Sequence, residues 1–258
     1  MAPWGETLAS VGYGVDVSRP QRSPTSQTWG FYESWGGYIA TALSLWFFIQ
    51  WLRGATLFDP HLVLVASYGV VWLPLIVAIV IASVRGGHTK PRTRLGLRIT
   101  WLDVFLGLGA GLLLRAVAGL IETALTGRMI GLGVTFGDPV YDGWWLFGTV
   151  LAPVLIAPII EETFFRGLLQ RSTSRFLSLR TGRRTSAGLA IALSASTFTL
   201  LHLMEAANPT AAVILGISTF ILGLAAATLT ASTGRIGAAL VTHIVFNATL
   251  VLPSLLLL

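Results

Sequence analysis

The sequence predicts an all-α fold, a polytopic transmembrane helix bundle of about seven spans (six to eight) with a polar intramembrane cavity. Hydrophobic residues make up 54% of the 258 and charged residues only 11%, with a mean hydropathy of +0.76; a soluble domain carries roughly 25% charge. The apolar residues also fall in continuous runs, and crossing about 30 Å of hydrocarbon as a helix takes about 20 of them. A transmembrane β-barrel would instead alternate over segments of about ten residues. These runs do not alternate and are rich in Gly and Ala.

Residues 1–35 are polar and rich in Gly, Pro and Ser, with no short apolar core followed by a small-residue cleavage site. They are expected to form a loosely ordered tail rather than a signal peptide. Seven runs follow, at 36–52, 61–84, 101–125, 144–170, 186–203, 211–232 and 236–257, and the single apolar block 36–258 reads as one domain. Small residues let membrane helices approach closely, which singles out Gly107, Gly109 and Gly111 in the third run and Gly216, Gly223 and Ala225 to Ala227 in the sixth. Trp101, Trp144 and Trp145 stand at run starts, as interfacial anchors do.

Basic residues set the orientation. Arg85, Lys90, Arg92, Arg94 and Arg98 separate runs two and three, and Arg171, Arg175, Arg180, Arg183 and Arg184 separate runs four and five. With Arg19, Arg22 and Arg235 they put 13 of the 17 Lys and Arg on one side. The positive-inside rule makes that side cytoplasmic, so the amino terminus is expected in the cytoplasm. The same distribution accounts for the net charge of +6 without nucleic acid, because the basic residues sit in short loops and not on a face interleaved with aromatics. Cysteine is absent, which excludes disulfides, thiolate metal sites and nucleophilic Cys chemistry.

An ionised side chain at mid-bilayer costs on the order of 3 kcal/mol, so intramembrane charges mark partners or function. The densest group is Pro158-Ile-Ile-Glu161-Glu162-Thr-Phe-Phe-Arg166-Gly167, late in run four. Glu162 and Arg166 are four apart with the acid nearer the amino end, the favourable helical ion-pair order. Glu161 points about 100° away on the helix and lacks that partner, which suits a general base. Pro153 and Pro158 should bend the span. His202, in Phe198-Thr-Leu-Leu-His202, ends run five. His243 and Asn247, one turn apart in run seven, share a helix face and can aim two donors at one oxyanion.

Each residue also has a structural reading. Glu162 with Arg166 is an ordinary buried ion pair, a lone membrane His is commonly an interhelical hydrogen-bonding residue, and Arg115 with Glu122, seven apart, reads as a packing pair. Asp103 reads as interfacial, His61 and His88 as helix-end or loop residues, and Glu205 and Asn208 as loop residues beside His202, with Glu205 close enough to stay a candidate. Rival chemistries lack their parts: there is no His-Glu-x-x-His helix, no Gly-x-Ser-Gly, Lys90 lies in a loop, and Asp138 and Asp142 lie in an outer loop. Carboxylate plus imidazole remains.

Glu-Glu-x-x-x-Arg at 161–166, Phe-x-x-x-His at 198–202 and His-x-x-x-Asn at 243–247, in that order, resemble the CPBP family of intramembrane proteases. That family includes the type II CAAX prenyl endopeptidases and bacterial bacteriocin-processing or immunity homologues. The resemblance covers about residues 95–258 and extends to Phe165, Gly167 and Ser232-Thr-Gly-Arg235. It implies a helical fold and cleavage of membrane-associated proteins or peptides. Glu161 and His202 would activate water, His243 and Asn247 would hold the oxyanion, and Glu162 with Arg166 would organise the site. No cofactor is expected; the alternative is zinc on Glu161, His202 and His243. The rival functions are a non-catalytic immunity or scaffold protein and a proton-coupled transporter, the latter needing inverted repeats that the sequence lacks.

One tension concerns depth. At 1.5 Å per residue, Glu161 lies roughly 26 Å from Trp144 towards the cytoplasm, and His202 roughly 24 Å from Ser186 towards the outside. For the expected separation of about 4–7 Å with a shared water, run five must begin outside the hydrocarbon or run four must bend.

Overall fold

A computed structural model describes residues 28–54, 59–86, 90–127 and 143–255. Most of the expected tail lies outside these, as do Arg19, Arg22, His88, Arg128, Asp138 and Asp142. The chain is helical throughout the described residues, with no strands: α1 Phe31–Gly54, α2 Pro60–Arg85, a single turn Pro91–Arg94, α3 Trp101–Thr126, α4 Gly143–Leu177, α5 Arg183–Leu203, α6 Pro209–Thr233 and α7 Gly237–Leu255. Five of them, α2 to α6, are long and apolar enough to cross a membrane. Helix α1 starts inside the expected tail and carries Glu33, Gln50 and Arg53; α7 is apolar over its described side chains, Gly237–Val251, so five spans stand among the described residues against the expected seven.

Helix starts are fixed by local chemistry. Asp59 caps α2 by accepting from the His61 amide at 2.8 Å, with Pro60 in the first turn. Asn208 does the same for α6, accepting from Ala211 at 2.9 Å ahead of Pro209. These side chains satisfy amides that the first helical turn leaves without partners. Thr100 and Asp103 form a reciprocal capping box at the start of α3, and the Asp103 carboxylate also accepts from Arg235 at 2.9 Å. Asp103 is therefore buried and paired, in the first turn of the helix. Helix α6 ends at Gly234 with φ +69°, a left-handed cap that favours glycine.

Burial is inverted relative to a soluble protein. Trp101 is 79% and Leu120 71% exposed, whereas Glu162, Arg166 and Asp103 are fully buried. The outer face suits lipid, and the polar groups gather inside, where they can satisfy one another. Small residues decide which helices touch. A Cβ on Gly107 would sit 2.5 Å from Val241 Cβ, and one on Gly111 2.7 Å from Val245 Cβ, so this four-residue repeat seats α3 on α7. A Cβ on Gly223 of α6 would sit 3.1 Å from Ala195 Cα of α5. Gly109 meets nothing within 4 Å: two residues off the repeat, it takes no part in packing.

Helix α4 is central and touches α1, α2, α5, α6 and α7. It begins with one α-helical turn, widens to a π-helical register over Phe147–Ile156, tightens over Ala157–Glu162 and widens again over Thr163–Gln170. It runs seven residues past its expected end, to Leu177, before turning into α5. Ser194 Oγ donates to the Phe165 carbonyl at 3.1 Å, which fixes the level at which the two antiparallel helices meet. From that level Glu161 lies about 6 Å and His202 about 12 Å in the same direction. The depth conflict is thus removed by the length of α4, which carries the first turns of α5 well beyond the site.

The glycine pattern makes a paired prediction. Gly107→Val overpacks the α3–α7 seam and should cost about 1–3 kcal/mol, while Gly109→Val should stay within about 0.5 kcal/mol of wild type. Unfolding of both variants in the same detergent checks this.

Candidate active site

The site starts from the two adjacent glutamates on the tight stretch of α4. Glu162 Oε1 lies 3.0 Å from Arg166 Nη1 and 2.9 Å from His243 Nδ1, all three side chains buried. One carboxylate oxygen therefore anchors a cation on its own helix and an imidazole 81 residues away on α7. The contact with Arg166 is electrostatic rather than an aligned hydrogen bond, since Nη1, Nε and Glu162 Oε2 have no hydrogen-bond partner. The guanidinium is instead held between aromatic faces, 4.6 Å from the Phe198 centroid and 5.8 Å from that of Phe165, with Nη2 3.4 Å from the Gly223 carbonyl. Cation–π contact offsets part of the desolvation of a buried guanidinium.

Because Glu162 can only accept, His243 donates from Nδ1 and turns Nε2 outward. That nitrogen lies 3.8 Å from Glu161 Oε2. His243 thus stands between the two glutamates, hydrogen-bonded to one and facing the other. Glu161 is not the partnerless carboxylate that the helix-face argument gave; its nearest imidazole is His243 and not His202. Among the described residues no ion pair joins Glu161 to His202.

His202 lies across Phe198. The Phe198 ring centroid is 4.4 Å from that of His202 and 5.6 Å, edge-on, from that of His243. His202 Nδ1 is 2.9 Å from the Phe198 carbonyl. A carbonyl only accepts, so Nδ1 carries the proton and Nε2 presents a lone pair. Asn247, one turn beyond His243, donates from Nδ2 to the Pro153 carbonyl at 2.7 Å. An amide nitrogen has two hydrogens, which leaves one free.

Glu161, Glu162, Arg166 and His243 therefore form one contact cluster, with His202 beside it across Phe198 and Asn247 fixed to α4. Phe198 is the member that the sequence reading used only as a motif flank; it touches both histidines and Arg166, and its place four residues before His202 is the signal for it. Glu205, past His202, is exposed. Arg115 and Glu122 pair at 3.4 Å as their spacing suggests, with Arg115 also 6.0 Å from the Phe246 centroid. Two surface clefts lie elsewhere: one of about 520 Å³ is lined by Val65, Gly143, Trp144 and Phe147, and one of about 360 Å³ lies between α1 and α2.

The donor set can be tested against zinc. Among the described residues no three His, Asp or Glu side chains are grouped to hold a metal ion. His243 Nδ1 and His202 Nδ1 are already engaged, and Phe198 stands between the two rings. Nε2 of both rings remains open, and Glu161, His202 and His243 are not grouped around one point in this arrangement.

The fold and site define a class: an all-helical integral membrane protein with a buried Glu–His–Glu cluster. Residues 143–249, which run from the start of α4 into α7, match the family model described as "Type II CAAX prenyl endopeptidase Rce1-like". The matched segment, which is similar to that family, holds every member of the cluster. No curated protein and no solved structure matches the chain.

The ion pair yields a stability prediction. Breaking a buried pair strands a charge and typically costs about 3–5 kcal/mol, so Arg166→Met should lose that much. Adding Glu162→Gln to Arg166→Met should restore part of it, because the second charge is removed as well. Denaturant unfolding of both variants in detergent checks the non-additivity.

Proposed function

We propose that the protein is an intramembrane endopeptidase that hydrolyses peptide bonds of membrane-associated proteins or peptides with a water activated by Glu161. The observation that carries this reading is His243 between two adjacent glutamates, hydrogen-bonded to Glu162 through Nδ1 and facing Glu161 through Nε2. The family match supports proteolysis as the class of reaction.

The proposed cycle uses only this chain's residues. Glu161, ionised, takes a proton from water as the oxygen attacks the scissile carbonyl, and the free Nε2 lone pair of His202 orients that water by accepting its other hydrogen. The carbonyl oxygen becomes an oxyanion. His243, protonated on Nε2, donates to it, and its charge is balanced by Glu162 across a 2.9 Å contact. The second N–H of Asn247 donates beside it. Protonated Glu161 then gives its proton to the departing amine nitrogen as the C–N bond breaks, which returns the carboxylate. Arg166 takes no proton; it keeps Glu162 ionised and in place while His243 is charged. Peptide hydrolysis inside a bilayer needs water as well as groups, and the wide stretches of α4 on either side of Glu161 support a local opening of the helix.

This reading involves no metal. The bilayer supplies the surrounding lipid, and the basic loops support an orientation with the amino terminus in the cytoplasm.

Three expected outcomes follow for detergent-purified protein on a peptide library. Glu161→Ala and His243→Ala should abolish cleavage, and Asn247→Ala should lower kcat by about 10²–10³, the usual effect of losing one oxyanion donor. Wild-type cleavage should survive a chelator. Undiminished cleavage by Glu161→Ala would remove the proposed base, and loss of activity restored by added zinc would replace it with a metal mechanism.

A further inference from the structure

The wide register of α4 carries a second consequence. In an i→i+5 ladder the carbonyl of each residue accepts from the amide five positions on, as the Ala157 amide does with the Ala152 carbonyl. Proline has no amide hydrogen. Pro153 therefore leaves the Gly148 carbonyl without its donor, and Pro158 leaves the Pro153 carbonyl without its donor. The two prolines are five apart, so the breaks recur at the period of the wide helix. A carbonyl left without its helical donor inside a membrane span needs another donor.

Both carbonyls are met by side chains from other helices. Tyr68 Oη of α2 donates to the Gly148 carbonyl at 2.7 Å, and Asn247 Nδ2 of α7 donates to the Pro153 carbonyl at 2.7 Å. Tyr68 is itself held by stacking on Trp72 at 4.6 Å and by an edge contact with Phe147 at 6.0 Å. Nothing in the three motifs includes Tyr68, and it lies outside the matched segment 143–249.

We propose that Tyr68 is a positioning residue for the site: its hydroxyl and the Asn247 amide occupy the two gaps that Pro153 and Pro158 open in α4, and so hold the wide register that sets where Glu161 and Glu162 stand. Tyr68 touches no reacting atom. It acts through the backbone of α4, and it makes α2 part of the machinery. Asn247 then has two tasks on one nitrogen, with one hydrogen on the Pro153 carbonyl and the other towards the oxyanion. The second task rests on the proposed function; the first does not.

The test uses the full chain in detergent. Tyr68→Phe keeps the ring and its stacking and removes the donor. Pro153→Ala returns a backbone amide that can reach the Gly148 carbonyl and makes the hydroxyl redundant. Hydrogen–deuterium exchange of peptides covering residues 147–158 should rise about five- to tenfold in Tyr68→Phe, as loss of one net hydrogen bond implies, and should return to within about twofold of wild type in Tyr68→Phe with Pro153→Ala. On any substrate that wild type cleaves, Tyr68→Phe should lower kcat severalfold with KM within about twofold, and the double variant should recover it. Unchanged exchange in Tyr68→Phe, no recovery in the double variant, or raised exchange with unchanged kcat each overturns the proposal. If wild type cleaves nothing, the proposed function fails, and the exchange result still decides whether Tyr68 holds the register.

Discussion

A carboxylate inside a helix bundle has to be surrounded by donors or it will not stay charged, and Glu162 meets that requirement with groups from two helices. Arg166 reaches it from the next turn of α4, and His243 reaches it from α7. The rest of the site follows from that constraint. Arg166 has to be buried to reach Glu162, so Phe165 and Phe198 provide ring faces for its guanidinium. Phe198 then separates the two histidines and fixes His202 through its own carbonyl. His243, held at Nδ1, can only offer Nε2 to Glu161. A buried ion pair is poor evidence of stability, because apolar replacements of similar volume often do as well. Here the cluster fixes the tautomer and aim of a histidine, which an apolar replacement cannot do.

The same economy shapes α4. A regular α-helix from Gly143 to Leu177 would present one set of faces along its length; the two wide stretches rotate those faces and bracket the two glutamates. Maintaining such a register needs donors for the carbonyls that proline strands, and the donors come from α2 and α7. Helix α4 is therefore held at the site by contacts that also hold the bundle together. The glycine repeat on α3 contributes from the other side by seating α7 close enough for His243 and Asn247 to reach α4.

Much of this was legible in sequence where the cause is local. Hydropathy alone locates the apolar helices, because each must satisfy its own backbone in lipid. Glu162 with Arg166 could be read from a spacing of four, and Arg115 with Glu122 from a spacing of seven. What could not be read depends on how helices slide past one another. The level of α5 against α4 is set by Ser194 on the Phe165 carbonyl and by seven further residues of α4, and neither has a sequence period. For that reason the contact between Glu161 and His243 could not be read from spacing. Pro153 and Pro158 were readable as a bend, but their spacing of five gains meaning only once the i→i+5 register is known. Gly109 looked like its neighbours because composition does not tell which face of α3 meets α7.

The central claim is that Glu162 sets the tautomer and direction of His243. The chain has four histidines, few enough for ¹⁵N NMR of histidine-labelled protein in detergent, with His243→Gln used for assignment. Wild type should show the His243 proton on Nδ1 in a strong hydrogen bond to a carboxylate. Glu162→Gln should shift that Nδ1 signal while the His202 signals, governed by the Phe198 carbonyl, stay in place. A His243 resonance that carries its only proton on Nε2 in wild type, with Nδ1 bare, or that does not move in Glu162→Gln, would contradict the account.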